Sequence, residues 1–248
     1  MNGIVLITGA SRGIGAATAR LAARHGYDVC VNYLSNRAAA ETMVEDIEAA
    51  GQRAVAVSAD VSRETDVVRL FETCDRTLGP LTALVNNAGI LDRQMQIEDM
   101  DAARIQRVLA VNVTGSFLCA REAVRRMSNR HGGRGGAIVN ISSAASRFGS
   151  PGEYVDYAAS KGAIDTFTLG LALEVADAGI RVNAVRPGII DTEIHASGGE
   201  PDRVNRVQAR IPMHRAGTAE EVAEAVIWLL SNAASYSTGA ILDVSGGR

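Results

Sequence analysis

The chain has 248 residues, 47% of them apolar, and a formal net charge of −3. That length suits a single large α/β domain, and a near-neutral, slightly acidic balance excludes a general nucleic-acid binder, which needs a basic face. Cys30, Cys74 and Cys119 make no CxxC spacing, the four histidines (His25, His131, His195, His214) are scattered without ligand spacing, and no apolar run approaches the ~18 residues of a membrane span, so neither a metal site nor a membrane is expected. The first strand begins by Gly3, which leaves no room for a signal peptide; with cysteines suited to a reducing compartment, this predicts a cytoplasmic protein.

Residues 3–8 (GIVLIT) form a short, continuously apolar run, as a strand buried on both faces of a parallel sheet does. Gly9, Gly13 and Gly15 follow, and then a helix-like stretch, 16–24. A strand, a glycine turn and a helix in that order make a phosphate site, because the backbone can approach the anion and the first helical N–H groups point at it. The Walker lysine is absent, which excludes a phosphate-binding NTPase.

A second strand over 27–32 ends in Asn32 and Tyr33, where a dinucleotide fold that holds a ribose diol would place a carboxylate. None lies between Asp28 and Glu41. Arg12 and Arg37 supply positive charge instead, and two guanidinium groups suit a 2′-phosphate, so NADP(H) is expected over the alternative NAD(H). A helix over 37–50, a third strand over 53–58 and a helix over 63–78 come next. Asp60, between the last two, either accepts from an adenine amino group or caps the helix, as Ser62 could. A fourth strand, 82–85, runs into Asn86, Asn87, Ala88 and Gly89 at its carboxyl end. These amides either face the ligand crevice or tie neighbouring strands together. In the long helical stretch 101–129, Asn112 is an amide among apolar residues. It holds a water, kinks the helix, or is a satisfied core amide.

A fifth strand, 137–141, ends in Ser142 and Ser143. A helix over 155–177 carries Tyr157 and Lys161, four residues apart and so on one face. A phenol titrates near ~10; a neighbouring ammonium lowers that value and would let Tyr157 exchange a proton at cellular pH. Ser143 precedes Tyr157 by fourteen residues, and Ser142 by fifteen, a poorer fit. Tyr154 has Ala158 as its partner one turn on and cannot take this role. A sixth strand, 180–185, leads to Pro187, Gly188 and Thr192. Segment 189–215 reads as a mobile lid, 218–231 as an amphipathic helix, and 236–243 as a final strand.

Gly9-xxx-Gly13-x-Gly15, Asn86 to Gly89, Asn112, Ser143, Tyr157-xxx-Lys161 and Pro187-Gly188-xxx-Thr192 occur in order. With this set the chain resembles the short-chain dehydrogenase/reductase family over essentially its whole length. The resemblance implies a single-domain doubly wound Rossmann fold, with a parallel sheet in the order 3-2-1-4-5-6-7, and a homotetramer. It implies Tyr157 as acid/base, Ser143 on the substrate oxygen, Lys161 on the nicotinamide ribose, and Asn112 anchoring a water in the proton relay. The implied cofactor contacts begin with Gly9, Ser11, Arg12, Gly13, Ile14 and Gly15. Asn32, Tyr33, Arg37, Asp60 and Val61 follow, then Asn87, Ala88 and Gly89. Tyr157, Lys161, Pro187, Gly188, Ile190 and Thr192 complete the set, with Ile190 and Thr192 at the carboxamide. In one respect the chain departs from the family, whose serine and tyrosine more often differ by thirteen: the loop Ala144 to Asp156 carries an extra residue.

The implied reaction interconverts a ketone or aldehyde and an alcohol by hydride transfer. Segment 90–95, loop 144–153 and the lid should line the substrate pocket, with Ile189, Ile194, Met95, Arg93, Arg147 and His195 among the candidates. One alternative is 3-oxoacyl carrier-protein reduction, with Arg125, Arg126 and Arg130 docking an acidic carrier. Asp177-Ala178 stands where that branch has a basic residue, which argues against it. Sugar, polyol and steroid dehydrogenases remain open, and a non-catalytic NADP(H)-binding sensor or scaffold is the reading from another class.

Overall fold

The structure is a computed structural model and describes residues 3–193, 198–200 and 202–248. Strand β1 (Ile4–Ile7) is buried along its whole length. Ile4 and Leu6 enter one apolar cluster, Val5 and Ile7 the other. A continuous apolar run with alternating destinations means that both faces are covered, and this places β1 in the middle of the sheet.

Among the described residues seven parallel strands pair in the order β3-β2-β1-β4-β5-β6-β7. They are β1, β2 (Asp28–Tyr33), β3 (Ala54–Ser58), β4 (Ala83–Asn86), β5 (Gly136–Ile141), β6 (Ile180–Pro187) and β7 (Ile241–Val244). One face packs on α1 (Gly13–Arg24), α2 (Arg37–Ala49) and the C-terminal helix Ala219–Leu230. The other packs on α3 (Glu64–Thr77) and on two helices that follow β4 and β5. The cysteines are buried and unpaired there as small apolar groups. No described helix is long and apolar enough to cross a membrane.

The long helical stretch after β4 is not one helix. It runs as α4 (Ala102–Leu109), a π-helical turn Ala110–Thr114, and α5 (Gly115–Met127). Asn112 sits in the middle of the wide turn and is 1% exposed. A short helix, α6 (Ala145–Phe148), lies inside the loop after β5. Helix α7 (Val155–Val175) follows and ends two residues before the expected bound, through a 3₁₀ turn to Gly179 at φ 76°. The segment expected to be a lid contains α8 (Arg203–Val207); the C-terminal helix named above is α9.

The last strand starts five residues later than expected. Ser237 N–H closes a turn on Ala234, and Gly239 at φ 74° donates to the Val182 carbonyl, so 236–240 turns before pairing begins. In segment 189–215, Ile190, Ile211 and Arg203 are buried, so part of it is packed rather than free. Ile194, His195 and Pro201 lie outside the described residues.

Candidate active site

The carboxyl ends of β1, β4, β5 and β6 open onto one cleft of about 570 Å³. That lies within the ~300–1,000 Å³ of ligand sites. It forms where the strand order reverses, between β1 and β4, the place at which open α/β sheets bind ligands.

One end is the turn after β1. Gly9 and Gly13 hold φ of 63° and 54°. Gly9 N–H donates to Asn32 Oδ1 at 3.1 Å, and Asn87 Nδ2 donates to the carbonyls of Thr8 and Gly9 at 2.8 and 3.0 Å. Thr8 Oγ1 in turn accepts from the N–H groups of Asn87 and Ala88. The turn is thus held from both flanks by side chains. The start of α1 has no side-chain cap. Gly9, Ser11, Arg12, Gly13 and Ile14 line the cleft; Gly15 does not. A Cβ on Gly15 would stand 2.4 Å from Gly9 O and 2.5 Å from Asn87 Nδ2, so Gly15 lets the helix press on the turn.

Beyond β2, Asn32 and Tyr33 line the cleft, and so do Ser35 and Asn36, which sequence reasoning missed. Their small polar character directly after a strand was the available signal. The Asn32 side chain is a strut: its Nδ2 also donates to the Val57 and Ala59 carbonyls. Arg37 stands apart from these. It does not line the cleft; it pairs with Glu41 at 2.7 Å, one turn along α2, and its side chain is 77% exposed. Asp60 and Val61 do line the cleft. Asp60 Oδ1 accepts from the N–H and hydroxyl of Ser62 rather than capping α3, whose N-cap position is Arg63.

At the other end stand Ser143, Tyr157 and Lys161. The Ser143 side chain faces the Tyr157 phenol and favours its ionised form, while the Ser142 hydroxyl is turned away to the Lys161 carbonyl. The extra residue between Ser143 and Tyr157 is therefore absorbed by the loop that holds α6. Lys161 Nζ lies 5.6 Å from the Tyr157 ring centroid and donates to the Ile141 carbonyl at 2.8 Å. Gly89 fits beside it: a Cβ there would be 3.5 Å from Lys161 Nζ and 3.4 Å from Asn112 Oδ1.

The electrostatics differ from the expectation. Burial pushes the Tyr157 phenol up, and the Ser143 contact opposes it. Lys161 is itself pushed down to about 8 by burial, opposed by the Asp165 carboxylate one turn on. Both groups sit away from water, and burial disfavours the charged form of each.

Asn112 sits behind the cleft. Its Oδ1 accepts from Ile90 N–H at 2.8 Å, and its Nδ2 donates to Ile90 O and Ser160 Oγ at 3.1 and 3.0 Å. The residue does not line the cleft. It is a satisfied amide that ties segment 90–95 to α7. Asn86 similarly reaches Asn140 and the Ser116 carbonyl.

Ala88, Gly89, Pro187, Gly188, Ile190 and Thr192 line the cleft. On the side left for a substrate the walls include Ile90, Leu91, Ala144, Phe148 and Ile189. Arg93, Met95 and Arg147 do not line it. Met95 Sδ instead lies against Arg104. Arg203, from the segment expected as a lid, lines it, and so do Tyr154 and Arg248, which were not expected to, since only tertiary packing brings those two in.

A family model described as Enoyl-(Acyl carrier protein) reductase matches residues 9–248. The oxidoreductase YgfF of Escherichia coli K12 is 62% identical over 245 residues, 99% of each chain. Glucose 1-dehydrogenase 2 of Bacillus subtilis is 40% identical over 242 residues, 98% of this chain and 93% of the relative. Among solved structures, a double mutant of a Serratia marcescens short-chain dehydrogenase/reductase superposes with a TM-score of 0.90 at 31% identity, over 99% of this chain and 97% of that one.

Proposed function

The chain belongs to the short-chain dehydrogenase/reductase family, and from that premise we propose an NADP(H)-dependent enzyme that interconverts a ketone or aldehyde and an alcohol, with Tyr157 as its acid/base. Oxidoreduction between alcohol and carbonyl with a nicotinamide cofactor, NAD(H) or NADP(H), is the family's activity on small molecules. The observation that carries the finer reading is the meeting of Ser143, Tyr157 and Lys161 in the cleft that begins at the glycine turn.

The residues fit a dinucleotide. Gly9 and Gly13 need positive φ, and a Cβ on Gly13 would project to within 3.5 Å of Thr192, across the path a pyrophosphate takes to the uncapped start of α1. In this reading Ser11, Ile14 and Gly15 shape that turn. Asn32, Tyr33, Asp60 and Val61 enclose the adenosine half, and Asn87, Ala88, Gly89, Pro187, Gly188, Ile190 and Thr192 the nicotinamide half. Arg12, Ser35 and Asn36 are the groups for a 2′-phosphate, with Arg37 held back by Glu41. The nicotinamide, when bound, supplies or accepts the hydride.

The protein's share is to orient and to move one proton. Ser143 and Tyr157 donate to the substrate oxygen, where negative charge grows during reduction. Tyr157 then gives its phenolic proton, leaving the alcohol and a phenolate that solvent reloads. Its raised pKa keeps the donor protonated at neutral pH. Lys161, one turn on, favours the phenolate as it forms. Asn112 acts by holding Ile90 and Ser160 in place. Residues 189–215 serve as the substrate lid.

We assign the enzyme to the cytoplasm as a homotetramer. Phe117 on α5 is 46% and Leu173 on α7 84% exposed, and Trp228 on α9 and Tyr236 beyond it are exposed; these are the large apolar side chains that a subunit contact would cover. The acyl-carrier reading is weakened, because the arginines offered for docking are all paired: Arg125 and Arg126 with Glu122, and Arg130 with Asp177.

The test is absorbance at the nicotinamide wavelength with NADPH or NADH against ketones, diketones, sugars and acyl thioesters. Faster turnover with NADH overturns the cofactor assignment. A cofactor-dependent thermal shift with no turnover on any carbonyl favours a non-catalytic sensor.

A further inference from the structure

Two hydrogen-bond donors in the cleft wall, Arg203 Nη1 and Tyr154 Oη, are buried and have no acceptor among the described residues; Gln94 Nε2 is buried beside the Tyr154 phenol. Tyr154 is 3% and Arg203 7% exposed, and both line the same cleft as Tyr157. The Arg203 guanidinium lies 5.1 Å from the Tyr154 ring centroid, and the Gln94 side chain approaches the phenol closely enough to favour its ionised form. Arg203 and Gln94 therefore both meet Tyr154, three positions before Tyr157. Native proteins satisfy buried donors, and a group of them left open together marks a place where an acceptor is missing.

We infer that the substrate of this cleft carries a carboxylate in addition to its reacting carbonyl or alcohol, and that Arg203, with Tyr154 and Gln94, receives it. This rests on reading the cleft as a nicotinamide-dependent carbonyl site. The chemistry favours a carboxylate over a neutral tail. A carboxylate only accepts, so it opposes no donor with a donor, whereas a hydroxyl brings an O–H of its own. Arg203 Nη2 already donates to Glu153 Oε2 at 2.6 Å, but that carboxylate is 39% exposed and shares its charge with solvent. The planar fork of arginine takes a second carboxylate on its free nitrogen.

Arg248 adds a second cation to the cleft wall. It lies over the Phe148 ring at 5.5 Å and has no carboxylate partner among the described residues. The acidic wall residue Glu193 belongs to the other end: its Oε2 is 3.7 Å from where a Cβ on Gly13 would stand. Because Nη1 is closed off from water, binding requires the Arg203 side chain to turn toward the cleft, loosening its hold on the half-solvated Glu153.

The experiment compares 4-oxopentanoate and 4-oxocyclohexanecarboxylate with their methyl esters, using NADPH and the full-length protein. The expected result is a kcat/KM at least tenfold higher for an acid than for its ester, expressed mainly in KM. In Arg203→Met that acid-to-ester ratio falls toward one, and Arg203→Lys restores part of it. Equal turnover of acid and ester by the wild type overturns the inference, and so does a preference that survives in folded Arg203→Met. Should Arg203→Met not fold, the wild-type ratio decides alone. A binding arm separates this inference from the reading beneath it: pentanoate, and not methyl pentanoate, should raise the melting temperature of the NADPH-loaded protein. Turnover of no carbonyl sinks the catalytic reading, while equal shifts from acid and ester, or none, sink the carboxylate site.

Discussion

Arg104 and Asp156 form a two-pronged ion pair, at 2.8 and 3.3 Å, with side chains only 5% and 2% exposed. Asp156 also accepts from the Tyr157 N–H at 2.9 Å, and Arg104 donates to the Arg93 carbonyl at 2.7 Å. The pair thus fixes the first turn of α7 against the segment that walls the cleft. Asp156→Ala should cost about 3–5 kcal/mol, since it leaves a buried guanidinium without its partner. Urea denaturation measures this; a loss under about 1 kcal/mol would show that the pair carries little.

Tyr157→Phe removes the proton and little volume. Turnover should fall by roughly 10²–10⁴-fold, the range for a positioned acid, while NADPH still binds. Steady-state rates beside a fluorescence titration of NADPH test both halves. Retained turnover would take Tyr157 out of the role.

Lys161 makes the site costly to fold. Its pKa falls from 10.5 to about 8, a difference worth about 3 kcal/mol. Below pH 8 the lysine is protonated in both states and the native state bears the whole cost. Between about 8 and 10.5 the unfolded chain binds more protons than the native one, so stability rises with pH across that window. Lys161→Met should therefore be more stable than wild type at about pH 7 and lose that advantage by pH 10.5. The gain should stay below about 3 kcal/mol, because the Ile141 carbonyl loses its donor. Melting curves at the two pH values decide; a pH-independent difference contradicts the depressed lysine.

The two arginines grouped by sequence for the 2′-phosphate should separate. Arg12→Ala should weaken NADPH binding roughly tenfold, about 1.4 kcal/mol, and leave NADH nearly unchanged. Arg37→Ala should change either by less than about threefold, since Arg37 is exposed and paired to Glu41. Titrations with both cofactors compare them, and a larger effect at Arg37 would mean that it swings inward.

Gly15→Ala puts a methyl group into backbone that has no room for it, 2.4 Å from Gly9 O. A loss of about 1–3 kcal/mol is expected, together with weaker cofactor binding as the turn shifts. Unchanged stability in a melting experiment would mean that the turn yields freely.

The sheet was legible because buried parallel strands are written as apolar runs, and the turn after β1 because glycine is required where φ is positive. The Ser143–Tyr157–Lys161 group followed from helix periodicity and an ordered set of motifs. What stayed hidden depends on distant neighbours. Whether Arg37 turns to the cleft or to Glu41 is a choice between two partners near in sequence. The direction of the Tyr157 shift depends on burial by residues far along the chain. The wide turn at Asn112 leaves no periodic trace, and Arg203 reaches Tyr154 only through the path of the chain after β6.

The π turn at Ala110–Thr114 has an evolutionary corollary. A π turn accommodates one residue more than an α-helix needs, and it does so without rotating the helix on either side. Shortening that stretch by a single codon should leave α4 and α5 seated as they are, yet swing the Asn112 amide off Ile90 and Ser160. The molecule retains a surplus residue in a helix so that one side chain can be aimed.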